Sequence, residues 1–333
     1  MIKVAAAAAS WLFAATLGAM PAHAEPAKPA NYPNRPINFV VSYPAGGGMD
    51  ITARTLAAEM ERVTGYQFRV ENRSGGGSII GNTYMATQAR PDGYTVGILA
   101  NPTVFVNILK QGARFKKTDL EPIAGINFEP VVWTVRTDSQ FGKMTFREII
   151  DYAKANPEKM KVGVIPNSSF DTATRIVAKE TGASFTIVPF QGSKPAIVSL
   201  LGGNIDMSGI YYTEIAQYVE DGTLKVLAVA DNTPLAEAPN APTMKDLNIR
   251  MASGTWGADR FAAVPKGTPE EIKAYLSHLI LKTLADPKTQ DAFKKVGVTV
   301  GAQGMAEKQK AYDESYAEVR AYLKDAGQLK LAQ

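Results

Sequence analysis

Apolar positions in this chain follow two alternating rhythms: short β-rich runs, and longer stretches in which they recur every three or four residues. Ile37 to Val41 is an apolar run of the kind a buried parallel strand shows. The segment after it sets Leu56, Met60 and Val63 on one helical face and stops at Gly65. Gln67 to Val70 predicts a second strand, Ile79 to Ala89 a second helix, and Tyr94 to Leu99 a third strand after the turn Pro91-Asp92-Gly93. From Val131 the same grammar restarts. Strand Val131 to Val135 leads to helix Thr145 to Ala155, strand Lys161 to Ile165, and helix Asp171 to Thr181 with Gly182 as its stop. Strand Phe185 to Val188, helix Pro195 to Leu201, and strands Ile205 to Ile210 and Leu224 to Ala230 follow, and the stretch Pro234 to Pro242 closes the unit.

The tail is helical. Thr268-Pro269-Glu270-Glu271 reads as a capping box, with Thr268 as N-cap, Pro269 at the first helical position and Glu271 at the third. Helices Pro287 to Val296 and Ala306 to Asp325 complete it. Alternation of strand and helix is the signature of open parallel sheets covered by helices. Ligands of such sheets sit outside the carboxyl ends of the strands. The tail helices have no sheet of their own, so they are expected to pack back on the first unit. The first domain is then discontinuous, with at least two crossings between lobes.

Bulk properties narrow the class. Met1 to Ala24 has a short basic start, an apolar run and an Ala22-His23-Ala24 cleavage signal, and is read as a secretory signal peptide cleaved after Ala24. The mature protein is thus expected to be exported. Net charge is only +4, and no Lys/Arg run interleaved with aromatics appears, which argues against nucleic-acid binding. There is no cysteine, and of two histidines only His278 lies beyond the leader, so no His-rich zinc site or Cys-His couple can form. His278 faces off its helix's apolar stripe and is read as a solvated surface residue. No Walker-type loop and no G-x-S-x-G elbow exist, and G-x-G-x-x-G breaks at Ile51 and at Ile80. No enzyme and no cofactor is expected.

Candidate chemistry lies in two glycine-rich loops that lack catalytic side chains. The first runs from Tyr43 through Ala45, Gly46, Gly47 and Gly48 to Asp50, and the second from Gly75 through Gly76 and Gly77 to Ser78. A bare loop before a helix exposes backbone N–H groups at the positive end of the helix dipole, a place that attracts an anion, most simply a carboxylate. Asp50 also reads as an N-cap, and Ser78 as a cap that could donate to a ligand. Ser168 and Ser169 are caps or pocket donors. Asp171 is a favourable first-turn acid or a contact to an amine or hydroxyl of the guest. Phe190 is core or pocket wall. Tyr211 and Tyr212 point to opposite sides of an extended chain, so one at most reaches a cleft. Arg260 has no local partner and is a candidate for a charge-assisted bond to a second carboxylate. Asn101, just past the third strand, completes the candidate set.

Several of these motifs recur in one order in a known family: Tyr32-Pro33-Asn34-Arg35-Pro36, Pro44-Ala45-Gly46-Gly47-Gly48 with Asp50, Glu71-Asn72-Arg73, Pro91-Asp92-Gly93-Tyr94-Thr95, Val188-Pro189-Phe190-Gln191-Gly192-Ser193, Leu201-Gly202-Gly203 and Pro265-Lys266-Gly267-Thr268-Pro269. The chain resembles the Bug family, periplasmic solute-binding receptors of tripartite tricarboxylate transporters, over essentially its whole mature length. The resemblance implies an α/β type II periplasmic binding protein, with two Rossmann-like lobes and a hinge (a Venus flytrap). Domain 1 would comprise residues 31–128 plus 257–333, and domain 2 residues 129–256. It also implies a carboxylate guest (a di- or tricarboxylate, an acidic amino acid or an aromatic acid), held at the two domain 1 loops and enclosed by loops at Asn167 to Thr172, Phe190 to Ser193 and Gly209 to Tyr211. Membrane subunits of the transporter would be its partners, and the receptor itself a monomer. A sensory co-receptor with the same clamp is the alternative. The chain departs from the family pattern at Asn167-Ser168…Asp171-Thr172, at Gly209-Ile210 and at Asp259-Arg260-Phe261, so the resemblance does not carry over a ligand's identity.

Overall fold

A computed structural model describes residues 25–251 and 256–330, so the expected leader, Met1 to Ala24, lies outside the described residues. Strand β1 (Ile37–Val41) forms where its apolar run predicts, with Ile37, Phe39, Val40 and Val41 completely buried. It pairs in parallel with β2 (Phe68–Asn72) on one side and β3 (Thr95–Asn101) on the other. Helices α1 (Gly48–Thr64) and α2 (Ile79–Thr87) connect them. Gly65 ends α1 as the pattern predicts: at φ 73° it adopts the left-handed turn that a side chain would disfavour, and its N–H donates to the Glu61 carbonyl.

Beyond α3 (Thr103–Leu109), strand β4 runs for 17 residues, Leu120–Arg136. It is followed by α4 (Phe146–Ala155), β5 (Met160–Val164), α5 (Ser169–Thr181), β6 (Phe185–Pro189), α6 (Ser193–Leu201), β7 (Met207–Tyr211), α7 (Ala216–Glu220), β8 (Leu224–Val229) and β9 (Gly257–Pro265). The curled sheet has the order β2-β1-β3-β9-β4-β7-β5-β6, with β8 also on β4. The first part of β4 pairs antiparallel with β9, and its second part with β7 and β8. This one strand therefore joins both halves of the sheet. The return passes beside it, where Val131 N–H donates to the Trp256 carbonyl at 2.9 Å. Here Gly257 faces Pro130, and a Cβ on Gly257 would lie 2.1 Å from the Glu129 carbonyl oxygen, so only glycine fits.

Four elements differ from the pattern-based expectation. β4 extends well before Val131, through Pro122 at a register shift and Pro130 at the passage between sheet halves, places where a missing N–H is tolerated. β9 carries Asp259 and Arg260 inside a strand, and α3 is buried on every side, so neither shows an amphipathic rhythm. Thr268 is not the cap of α8 (Glu270–Ala285). Pro269 takes that position, and the Thr268 hydroxyl donates to the Pro265 carbonyl instead. A reciprocal capping box is found at α4, between Thr145 and Glu148.

Helices α8 and α9 (Pro287–Lys295) pack on α1, and α10 (Met305–Asp325) on α3 and β4. His278 on α8 is not simply solvated, because its Nε2 lies 2.8 Å from Glu25 Oε1. Among the described residues no helix is long and apolar enough to cross a membrane.

Candidate functional site

The carboxyl ends of β1, β5, β6 and β7 face one another across a cavity of about 260 Å³. Its floor on one side is the loop Tyr43 to Met49, which opens α1. Its other walls are Ile165, Ser168 and Phe170 at the start of α5, Gln191 to Pro195 at the start of α6, Tyr211 and Glu214 beyond β7, and Ala100 and Ala258 from β3 and β9. Strand ends and helix starts supply nearly all of this wall, as expected for an open α/β sheet.

At the mouth of α1, Gly47 is the cap residue in an extended conformation (φ −90°, ψ 170°) and, as glycine, has no side chain of its own to cap the helix. Asp50 lies inside the first turn rather than at the cap. Its Oδ2 accepts from Gly46 N–H and from Arg54 Nε, each at 2.9 Å, and its Oδ1 accepts from Asn72 Nδ2 at 2.9 Å. Burial opposes ionisation of this carboxyl, yet those hydrogen bonds and the Arg54 charge hold it below the usual carboxylate range. Gly48 N–H donates to Glu214 Oε1 at 3.0 Å, and the Ser193 hydroxyl donates to the same oxygen. The α1 amides are thus not all bare, and a side chain from across the cavity holds one of them. Glu214 is half-buried as a residue, while its Oε2 is buried without a hydrogen-bond partner among the described residues. Burial raises its pKa, Ser193 and Gly48 oppose that, and the nearby Glu129 adds to it, so the net direction is up.

Behind Gly48 lies Arg260, with a completely buried guanidinium. It is not unpaired: Nη1 is 2.6 Å from Glu129 Oε2, an acid on β4 that no local pattern connects to it. The contact is an ion pair without hydrogen-bond alignment, and Nε, Nη1 and Nη2 all lack hydrogen-bond partners among the described residues. The guanidinium carbon lies 5.0 Å from the Tyr211 ring centre. A Cβ on Gly48 would come within 2.9 Å of Nη2, so glycine lets the helix mouth and the cation approach each other.

Of the candidate residues, the structure brings Tyr43, Ala45, Gly47, Gly48, Ser168 and Tyr211 to the cavity wall. Ser168 caps α5 by accepting from Phe170 N–H, and Ser169 bonds the Tyr211 hydroxyl at 2.5 Å. Tyr212 turns away into a separate apolar cluster with Ile197 and Ile215, and Phe190 packs against that cluster. Gly46 and Asp50 are engaged with each other. Asp171 is turned to its own helix, with Oδ1 2.6 Å from Arg175 Nε and Oδ2 accepting from Asn167 N–H. Gly76, Gly77 and Ser78 lie outside the wall, and Asn101 lines a different cavity beside Trp256 and Asp259. Pattern reading missed Glu214, Lys194, Met49 and Ile165. For Glu214 a signal was present, an acid just past the carboxyl end of the strand expected at Ile205 to Ile210.

Chemically, this arrangement offers an anion a helix N-terminus, with the buried, Glu129-paired Arg260 behind it rather than on the wall, and offers an apolar body the surfaces of Met49, Ile165 and Phe170. Among the described residues no cluster of His, Asp or Glu is placed to hold a metal ion.

A family model described as the tripartite tricarboxylate transporter family receptor, TctC, matches residues 52–327. The "UPF0065 protein in gbd 5'region" of Cupriavidus necator is 34% identical over 285 residues, covering 84% of this chain and 83% of that protein. The solved periplasmic binding protein BugD superposes with a TM-score of 0.81 at 28% identity, covering 90% of this chain and 100% of its own. Rpa4515 of R. palustris, solved with adipate, gives a TM-score of 0.82 with the same coverage, and at 24% identity this is a likeness of fold.

Proposed function

The chain belongs to the TctC family of tripartite tricarboxylate transporter receptors, and we propose that it is an exported receptor that captures a small carboxylate and hands it unchanged to the membrane subunits of such a transporter. The observation that carries the carboxylate reading is the fully buried Arg260, its N–H groups without hydrogen-bond partners among the described residues, set directly behind the Gly48 amide at the mouth of α1. A carboxylate at that amide gains the helix dipole and the guanidinium charge together. The guest's apolar or distal part then meets Ile165, Phe170 and Tyr211 on the facing wall.

Two halves, residues 31–128 with 257–333 and residues 129–256, close on the guest about the strand passages at Pro130 and Trp256. Closure removes water and strengthens each polar contact. The test is a thermal-shift screen of di-, tri-, amino- and aromatic carboxylates on protein refolded to remove bound solute. A cognate acid at 100 times its Kd adds about 2.7 kcal/mol of stability. A screen in which neutral sugars stabilise and no acid does refutes the reading.

A further inference from the structure

Glu214 stands out because it does from inside the chain what the reading above asks of a guest. Its carboxyl crosses the cavity from the turn after β7 and takes the Gly48 amide of α1 and the Ser193 hydroxyl of α6 on one oxygen. The turn itself is anchored to the crossing strands. Thr213 N–H donates to Glu129 Oε1 at 3.0 Å, and Glu129 Oε2 pairs with Arg260. One connected path therefore runs from β9 and β4 through the turn to the mouth of α1.

A guest carboxylate and Glu214 cannot both hold the Gly48 amide. We propose that Glu214 is an internal stand-in for the guest: its carboxyl latches the two halves across the cavity, and a carboxylate ligand binds by displacing it. This rests on the carboxylate reading and adds its selectivity. Because the guest must outcompete a tethered carboxyl, the cavity discriminates against weak, singly anchored acids.

The charges facing Glu214 set the sign of a pH effect. They are Glu129 on β4, Arg260 on β9 and Lys194 on α6, with the Tyr43 and Tyr211 hydroxyls alongside and the dipole of α1 in front. Two acids against the one buried arginine leave little room for a third negative charge. Burial and Glu129 already raise the latched Glu214 carboxyl, so its displacement toward water as the anion enters releases protons, and affinity rises as pH rises through that range.

The chain has no cysteine, so two can be introduced and labelled cleanly at the exposed Ile80 and Val198, on α2 and α6. Distances between nitroxides at these sites are measured in solute-free protein with Glu214 intact, with Glu214→Ala, and with the milder Ser193→Ala. The expected result is a longer separation in Glu214→Ala and a smaller change of the same sign in Ser193→Ala. An unchanged distribution in both overturns the latch.

Calorimetry with adipate, malate and benzoate forms the second arm. For any probe that binds, Glu214→Ala tightens binding about tenfold, as expected when one charge-assisted competitor is removed. The variant also loses the gain in affinity at higher pH. Weaker binding in Glu214→Ala makes Glu214 a ligand contact and overturns the proposal. If no acid binds the protein with Glu214 intact, the carboxylate reading fails, and the label distances still decide whether the latch exists.

Discussion

The glycine loops after β1 and β2 share a composition and differ in what their backbones do. In the first, only Gly46 has a positive φ, at 82°, and Gly47 and Gly48 lead into α1 in ordinary conformations, with the Gly48 amide directed to Glu214 across the cavity. In the second, Gly75, Gly76, Gly77 and then Ser78 are all at positive φ, which winds the loop on itself. Its carbonyls point to α3: Gly77 O accepts from Asn107 Nδ2 and Gly76 O from Gln111 Nε2, each at 3.1 Å. Ser78 is buried and donates to Asn107 Oδ1. One loop presents N–H groups outward, and the other is fastened inward by its C=O groups. Three glycines before a helix thus make an anion site only where the backbone leaves donors facing a cavity.

Separating the two loops by mutation sharpens this contrast, and the largest effect belongs to the charge behind the first. Arg260→Met leaves Glu129 buried without its cation and is expected to cost about 3–5 kcal/mol. Arg260→Met with Glu129→Leu should recover much of that. Urea unfolding measures both, and a cost under about 1 kcal/mol for the single variant would show that the pair is solvated and dispensable.

Behind the second loop the support is neutral. Asn107→Ala strips Ser78 Oγ, Asn82 Nδ2 and Gly77 O of their shared partner. Loss of about 1–3 kcal/mol is expected from these buried groups, with ligand affinity changed less than about twofold. A tenfold loss of affinity instead would return the second loop to the site.

Much of the fold was legible in the chain. β1, the opening of α4 at Thr145, and the Gly65 and Gly182 stops follow from local chemistry, and the structure places them where the pattern does. What could not be read depends on partners far along the chain. Arg260 looks lone because Glu129 reaches it only across the β4–β9 pairing. Glu214 looks like any acid in a turn until α6 and α1 bring Ser193 and Gly48 to it. Asp50 and Asp171 showed the reverse: each looks available to a ligand but is claimed by the arginine one turn along its own helix.

Alanine at one glycine of each loop gives a direct contrast. Gly48→Ala puts a methyl within 2.9 Å of Arg260 Nη2, which is buried and ion-paired and has nowhere to retreat. Affinity for whichever acid the screen selects should fall about tenfold, near 1.4 kcal/mol. Gly76→Ala is forced to keep φ 59° and meets Ile79 Cγ2 at 2.5 Å. It should cost about 1–2 kcal/mol of stability and leave affinity alone. If the two substitutions exchange these effects, the assignment of roles is reversed.

The finest contrast lies within the first loop, where two carboxyls at one helix mouth are shifted in opposite directions. Glu214 is raised by burial, so between its unfolded value of about 4.3 and its folded one the native state binds more protons than the unfolded state. Its contribution is complete below that unfolded value and is lost as pH rises through the folded one. Asp50 is lowered, burial being outweighed by Arg54, Gly46 and Asn72, so its contribution is present above the unfolded value of about 3.9 and lost as pH falls through the folded one. Urea unfolding across acidic to neutral pH therefore separates them by sign. Relative to the parent, Glu214→Gln should remove a fall in stability with rising pH, and Asp50→Asn a rise. The same sign from both variants would mean that the fold lowers the Glu214 pKa, the hydrogen bonds from Gly48 and Ser193 then outweighing burial, and no pH dependence from Glu214→Gln would mean a carboxyl solvated like a surface acid.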